Sequence, residues 1–395
     1  MLRSPQVRLL LAFFILSAGI AFAIGAQTPS SFEPDTYWPP LLAPQGVPPE
    51  RWSEIEKSLA PSACGQCHAD QFVQWQTSRH AHAMSPGVIG QLLSFAPGET
   101  AECTQCHASL AEQHTAFETA RAGGVANRED RLGLAAAGNS CGGCHLRGYH
   151  RFGPPQRGTG AVGQSATPSV HDGVMRTKFF ESSEFCGRCH QFANDAGVNG
   201  KPLENTYVEW RASPQAAQGQ TCQNCHMPDR RHLWRGIHDP DMVRSGLTMK
   251  SAVDGQRARF EITNSGVGHA FPTYAVPRVI MHAVALDSAG VPRRNTEVTH
   301  VIAREVQYAN NDWTEISDTR LMPLQTAAIE LRWNGADRIR LWLEVIPDHY
   351  YATQVYPALL QNAPLDSPAT ALIAKAAAGA AASPYRLFET ELRRP

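Results

Sequence analysis

The last third of the chain alternates apolar and polar residues. The alternating stretches cover residues 257–262, 329–333 and 339–345. A period of two is typical of β-strands that bury one face and expose the other. Residues 278–286 and 298–308 are further strand candidates. Together these stretches predict a small antiparallel sheet structure of the sandwich type.

Two local signals add detail to this prediction. Residues 334–337, Asn-Gly-Ala-Asp, lie between two alternating stretches and predict a hairpin that joins them. A helix is predicted to begin at Pro368, with Ser367 as its N-cap, and to stop at Gly379.

Residues 62–246 show a different pattern. They are rich in Gly, Pro, Ser and Gln and contain few long apolar runs. Such a segment cannot bury enough side-chain surface to close a conventional core. We therefore expect short helices and loops around apolar material that the side chains do not provide.

All ten cysteines of the chain lie in Cys-x-x-Cys-His pentads, which occupy residues 64–68, 103–107, 141–145, 186–190 and 222–226. This pentad is the signature of covalent c-type haem attachment. The two cysteines lie on one face of a helical turn, where each can form a thioether to the same porphyrin, and the histidine becomes an iron ligand. The sequence thus predicts five covalent haem c groups.

The predicted attachment residues are Cys64, Cys67, Cys103, Cys106, Cys141, Cys144, Cys186, Cys189, Cys222 and Cys225. The predicted proximal iron ligands are His68, His107, His145, His190 and His226. Five disulfides would also use ten cysteines, but disulfide chemistry does not call for the histidine that follows each pair. Zinc ribbons need two Cys-x-x-Cys pairs for each metal, or one pair and two distant histidines, and five pairs cannot be shared out evenly that way.

Eleven further histidines could supply the ligand on the opposite side of each iron, and several are expected to do so because low-spin haem needs a second strong ligand. The preferred candidates are His80, His171, His238 and His269, and His82 competes with His80. His114, His150 and His232 compete for the remaining iron, whereas His282, His300 and His349 are expected to be structural. Methionine is the alternative ligand, at Met84, Met175, Met227 or Met242.

The predicted domain organisation has four parts. Residues 1–26 have the charged, apolar, small-residue order of a signal peptide, and an uncleaved membrane anchor through residues 9–26 is the alternative. Residues 27–61 are a Pro-rich lead-in that either tethers or wraps the folded body. Residues 62–246 form the pentahaem part, and residues 247–395 form the β-rich part with a terminal helix. The fold class is α+β.

Charge and export limit the choice of partners. Lys plus Arg number 35 and Asp plus Glu 36, which gives no basic surplus for nucleic acid. The export signal places the bulk of the chain in the periplasm or outside the cell, where bacteria attach haem c. The expected partners are an electron donor and an electron acceptor protein.

Several segments around the pentads resemble the multihaem cytochrome c-554 family. One is the W-x-x-S-x-H stretch that ends at His80, and the others are residues 209–213, 222–228 and 268–273. The resemblance covers roughly residues 62–275 and implies an electron carrier with His80 as a distal ligand. Familiar members have four haems, whereas this chain has five pentads and an added β-rich part, so their haem order does not transfer.

The leading functional hypothesis is electron transfer between exported redox partners through five haems, most of them with two histidine ligands. An enzyme is the less favoured reading. The alternative is a periplasmic reductase or oxidase of nitrite or hydroxylamine with one open haem, similar to pentahaem nitrite reductase. Reductases of that kind typically have Lys in place of His in one pentad. All five pentads of this chain end in His, which disfavours the alternative. A third hypothesis is a subunit of an extracellular cytochrome filament.

Overall fold

Short helices dominate the chain up to residue 246, and long antiparallel strands dominate the remainder, as the α+β prediction requires. The structure is a computed structural model that describes residues 32–39, 42–124, 132–164, 170–194, 197–309, 312–362 and 367–395. Residues Glu33–Pro395 form one compact unit. The predicted signal or anchor lies outside the described residues. Within them, no helix has the length and apolar character needed to cross a bilayer.

The helices are α1 Pro34–Tyr37, α2 Glu54–Lys57, α3 Pro61–Gly65, α4 Ala69–Gln76, α5 Pro86–Leu92, α6 Ala101–His107, α7 Ala111–Ala122, α8 Cys141–His145, α9 Ser183–Gly187, α10 Thr206–Arg211, α11 Pro214–Ala217, α12 Cys222–His226, α13 Pro240–Gly246, α14 Tyr356–Asn362 and α15 Ser367–Ala381. Short 3₁₀ turns cover Gly133–Ala136, Val170–Asp172, Lys178–Glu181 and Pro228–Arg230, and a π-helical turn covers Tyr351–Val355.

The strands are β1 Leu146–Arg147, β2 His150–Gly153, β3 Gly163–Gln164, β4 Met175–Arg176, β5 Gly197–Val198, β6 Lys201–Pro202, β7 Leu247–Val253, β8 Arg257–Asn264, β9 Arg278–Leu286, β10 Val298–Ile302, β11 Arg304–Ala309, β12 Asp312–Asp318, β13 Thr326–Arg332, β14 Arg338–Ile346 and β15 Tyr385–Arg393. We call residues 62–246 the pentad region and residues 247–395 the β-rich region.

Two antiparallel sheets share the main hydrophobic core of the β-rich region. One has the strand order β13-β8-β7 and the other β10-β9-β14-β15. Alternate residues of β8 and β13, such as Phe260 and Ile329, belong to the same buried cluster as Met281 of β9 and Leu341 of β14. Every strand stretch predicted from the alternation is found in these sheets or in the separate β11-β12 pair.

The predicted hairpin at residues 334–337 is wrong. The chain turns there, but β13 pairs with β8, whereas β14 pairs with β9 and β15. The turn therefore carries the chain from one sheet to the other. Trp333, only 2% exposed, packs into the shared core at this corner. Because both strands bury their apolar face in one core, alternation alone cannot show whether they pair side by side or face each other.

The terminal helix is found where it was predicted but ends slightly later. Helix α15 runs through Gly379 to Ala381, because an isolated glycine lowers helix stability without ending the helix. The strand β15 that follows was not predicted. It closes the second sheet by pairing with β14.

The described part of the Pro-rich lead-in packs on the folded body. Tyr37, Trp38 and Trp52 are 4%, 9% and 6% exposed, respectively. The Trp38 indole donates a hydrogen bond to the Phe185 carbonyl at 3.1 Å. Of the two expectations for this segment, the described residues agree with wrapping rather than tethering.

Hydrogen bonds and an ion pair join the two regions. The Arg304 side chain is completely buried, and it donates to the Val198 and Lys201 carbonyls at 3.0 and 3.1 Å. Asp318 of β12 accepts a hydrogen bond from Lys201 at 2.8 Å. These contacts fix the β-rich region against the loops that follow the fourth pentad.

Candidate haem sites

The described residues enclose a continuous cavity of about 3550 Å³. All ten pentad cysteines and all five pentad histidines line it. A pocket for one drug-sized ligand has a volume of about 300–1,000 Å³. The cavity therefore has room for several large ligands, and it lies where the sequence predicted buried material other than side chains.

Short helices carry the pentads, and local residues begin these helices. Pro61 stands at the first position of α3. The Ser182 side chain caps α9 by accepting from the Glu184 amide. At α12, Thr221 and Asn224 form a reciprocal capping box. Each cap satisfies backbone donors that a helix of one or two turns leaves open, which lets such short helices form.

Cysteines of different pentads meet in the cavity wall. No described cysteine forms a disulfide. Thiol contacts join Cys64 with Cys141, Cys106 with Cys189, and Cys186 with Cys222. The first pentad thus lies beside the third, and the fourth lies beside both the second and the fifth.

Four pentad histidines use Nδ1 for a hydrogen bond inside the protein. His107, His145 and His226 donate to the backbone carbonyls of Ala83, Phe152 and Arg235 at 2.8, 2.8 and 2.6 Å. His190 instead has a carboxylate partner, Oε1 of Glu204, at 3.2 Å. A proton fixed on Nδ1 leaves the Nε2 lone pair free for a metal, which is the usual arrangement of a metal-binding histidine.

Three of these histidines face an imidazole that lies outside the pentads. The ring centroids are 6.2 Å apart for His190 and His80, 6.2 Å for His145 and His232, and 6.4 Å for His226 and His269. Two imidazole nitrogens bound at about 2 Å to one metal between them would separate the centroids by roughly 6 Å. The residues present therefore fit haem iron with a histidine on each side.

The three facing histidines are also held in the neutral form that a metal ligand needs. Burial lowers the pKa of His80 to about 3, and the charge of His190 adds to this effect. Burial likewise lowers the pKa of His232 and of His269 to about 4 each.

His171 lies near the first pentad. It lines the same cavity as His68, and its Nδ1 is 3.8 Å from Oε1 of Glu56. Burial lowers its pKa, and the positive charges of Arg151 and His68 act in the same direction.

His238 is placed differently from the other preferred candidates. Its Nε2 is 3.0 Å from both carboxylate oxygens of Asp348 and 2.8 Å from the Arg79 guanidinium. The nitrogen that would bind an iron is thus engaged with a carboxylate, although the side chain lines the cavity.

The second pentad stands apart from the three facing pairs. Among the described residues, no imidazole is found opposite the ring of His107 at the separation seen in those pairs, and the same is true of His68. His82 lines the cavity but is exposed, and His114 is hydrogen-bonded to Thr104 at 3.2 Å outside the cavity lining.

The sequence reasoning did not single out two residues of these sites. His232 was only one of three competitors, although it follows the fifth pentad more closely than His80 follows the first. No sequence pattern marks Glu204. An acidic residue 14 positions after a pentad histidine carries no spacing signal, because the loop that brings it back is set by strand pairing of β5 and β6.

Comparisons with known proteins agree with this chemistry. Residues 63–145, which contain the first three pentads, match the family model described as cytochrome c554 and c-prime. The chain is a multihaem c-type cytochrome. The resemblance to the cytochrome c-554 family is thus confirmed by a match to this part of the chain. No curated protein matches the sequence.

This cytochrome also shares its fold with a solved structure. That structure is a penta-heme cytochrome c552 from Thermochromatium tepidum, which is 17% identical with a TM-score of 0.58. The likeness covers 86% of this chain and all of that chain. At this coverage it extends beyond the pentads into the β-rich region.

Proposed function

We propose that this cytochrome carries electrons between exported redox proteins through five covalently bound haems, one at each pentad. A haem supplies an iron that changes between the ferric and ferrous states. The residues of the chain attach that group, hold two ligands on its iron and exclude water from it. The proposal rests on three pairs of histidines, in each of which a pentad histidine faces a histidine from outside the pentads.

The ligand assignments follow from the ring geometry. We assign His80 to the iron held by His190, His232 to the iron of His145, and His269 to the iron of His226. His171 is assigned to the iron of His68, which it neighbours. His238 keeps Asp348 as its partner instead of an iron, and this replaces the expectation from sequence.

The thiol contacts support transfer along a connected path. Neighbouring attachment points touch between the first and third pentads and around the fourth pentad. Haems attached there are close to one another, and electrons can pass between them without leaving the protein. The name of the structural relative, a penta-heme cytochrome, supports the number of five.

We also propose a role for each region of the chain and a location for the protein. The pentad region carries the redox centres, and the two sheets of the β-rich region pack as a sandwich that contributes His269. We expect delivery to the periplasm or the cell exterior, with a separate donor and acceptor protein as partners.

One observation favours the alternative of a reductase or oxidase of small nitrogen compounds. His107 has no facing imidazole in the part of the chain that the structure describes. An iron with an open position could bind nitrite or hydroxylamine there. A high-spin signal from one haem that shifts when either compound is added would favour this enzyme over the carrier.

The first test is the haem count and the spin state of protein from a host that matures cytochromes c. Mass spectrometry should find five covalently added haems on the chain. Optical and electron paramagnetic resonance spectra should show predominantly low-spin, six-coordinate iron. A mature chain with fewer than five haems, or mainly high-spin iron, would contradict the proposal.

The second test addresses the ligands. In His269→Ala one haem of the five should change from low-spin to high-spin, because the iron of His226 loses its second ligand. The matched control is His282→Ala. The His282 ring stacks on Trp342 at 4.4 Å and lies outside the cavity lining, so all haems should keep their spin state. Equal spectra for the two variants would remove His269 from the ligand set.

A further inference from the structure

The fourth pentad differs from the others in the acceptor bound to its histidine. Nδ1 of His190 is 3.2 Å from a carboxylate oxygen of Glu204, whereas His107, His145 and His226 have neutral backbone carbonyls as partners. The Glu204 side chain is 18% exposed. Among the described residues, no lysine or arginine forms an ion pair with it.

A carboxylate partner makes the imidazole a stronger electron donor than a carbonyl partner does. A stronger donor stabilises ferric iron more than ferrous iron, and hydrogen bonding to the axial ligand is one of the ways in which proteins set a haem potential. The low polarity around a mostly buried carboxylate strengthens its effect. This hydrogen bond therefore makes the iron of His190 harder to reduce than the irons of His107, His145 and His226.

The fourth pentad also occupies the junction of the path. Cys189 contacts Cys106 of the second pentad, and Cys186 contacts Cys222 of the fifth. Cys144 of the third pentad is close enough to influence both fourth-pentad thiols electrostatically. The first pentad contacts the third, through Cys64 and Cys141.

We propose that Glu204 is a positioning residue that gives the branch-point haem, held by His190, a lower reduction potential than the haems held by His107, His145 and His226. This inference rests on the proposed electron-transfer function. Electrons then reside on the outer haems and cross the junction only briefly. The junction separates an arm made by the first and third pentads from the second and fifth pentads.

The test is a potentiometric titration of the mature protein, with each haem followed by electron paramagnetic resonance. In Glu204→Gln the amide keeps the shape of the side chain but not its charge. One component should become easier to reduce, with a ratio of reduced to oxidised haem about tenfold higher at a fixed potential. That change equals about 59 mV for one electron. The other components should stay in place.

Two further variants make the result specific. Glu391→Gln removes the same charge on β15, where Glu391 pairs with Arg340 outside the cavity lining, and should shift no component. The Thr206 hydroxyl donates to Oε1 of Glu204 at 3.1 Å. Thr206→Val should concentrate the carboxylate charge on His190 and lower the potential of the same component that Glu204→Gln raises.

The identity of the component comes from His80→Ala, which should convert that same signal to high-spin. The inference is overturned if Glu204→Gln shifts no component, shifts all of them alike, or shifts one that His80→Ala leaves low-spin. A correct count of five haems together with any of these results leaves the proposed function intact. A wrong haem count removes the proposed function itself.

Discussion

The two regions of this cytochrome fill their interiors in different ways. The β-rich region packs alternate residues of two sheets into one cluster, where Phe260, Met281 and Leu341 are fully buried. The pentad region instead surrounds a cavity of about 3550 Å³ lined by the residues that attach haem. One region is stabilised by its own side chains, and the other depends on groups that must be added covalently.

The largest expected effect comes from preventing haem attachment. An empty cavity costs about 24 cal/mol for each Å³. If a tenth of this cavity stayed dry, the cost would be about 9 kcal/mol, which is similar to the whole stability of an ordinary domain. Protein made without haem attachment should therefore lose the structure of the pentad region while the β-rich region keeps its strands.

Hydrogen exchange followed by mass spectrometry can compare the two regions in that unattached protein. Amides of α8 and α12 should exchange at once, and amides of β8, β9 and β14 should stay protected. Protection of the pentad helices without haem would show that side chains alone stabilise them. The comparison between the regions would then fail.

A smaller effect is expected from a cavity made in the β-rich region. Phe260 is completely buried between the sheets and packs against the ring of Phe388 at 5.3 Å. Phe260→Ala should lower the free energy of unfolding by about 3–5 kcal/mol. The control Ile316→Ala truncates a side chain that is 58% exposed and should have little effect.

Calorimetry of the mature proteins measures this change, and the optical spectrum reports the haem ligands at the same time. The spectrum of Phe260→Ala at room temperature should match that of the wild type. If Phe260→Ala unfolds at the same temperature as Ile316→Ala, Phe260 does not contribute to the stability of this core.

The same contrast explains what could be predicted from the sequence. In the β-rich region each apolar position reports its own burial, so most of the strands were predicted. The strands β7, β12 and β15 were not, nor was the pairing of β13 with β8 rather than β14. In the pentad region the attachment residues follow from chemistry at fixed spacing. The facing histidines do not follow from spacing. His232 and His238 both come after the fifth pentad, and only the folded loop decides that His232 faces His145 whereas His238 contacts Asp348.

Glu204 is a second residue of the site that could not be predicted from the sequence. Nothing in its neighbourhood marks it, since the hydrogen bond to His190 depends on the return of the chain through β5 and β6. Residues that act through a ligand are placed by tertiary structure, whereas residues that bind the group directly are placed by the local motif.

The smallest effect concerns the contact that joins the two regions. Burial alone would raise the pKa of Asp318, but hydrogen bonds from Arg320 and Lys201 outweigh it and hold that pKa below its usual range. Arg320 is on the β-rich side, and Lys201 is on the pentad side at 2.8 Å. Asp318→Asn should therefore lower the free energy of unfolding at neutral pH by about 1–3 kcal/mol.

The contribution of Asp318 to stability should depend on pH, because folding lowers the pKa of its carboxyl group. The contribution of Asp318 is fully present above the ordinary aspartate pKa of about 3.9, and it is lost as the pH falls through that value toward the lower pKa of the folded state. The difference between wild type and Asp318→Asn, measured by denaturant titration, should thus be constant from pH 7 to about pH 5 and shrink below about pH 4. A difference that persists unchanged at pH 3 would assign the effect of the substitution to packing, because a carboxylate whose pKa is lowered by folding must lose part of its contribution once the unfolded chain binds the proton.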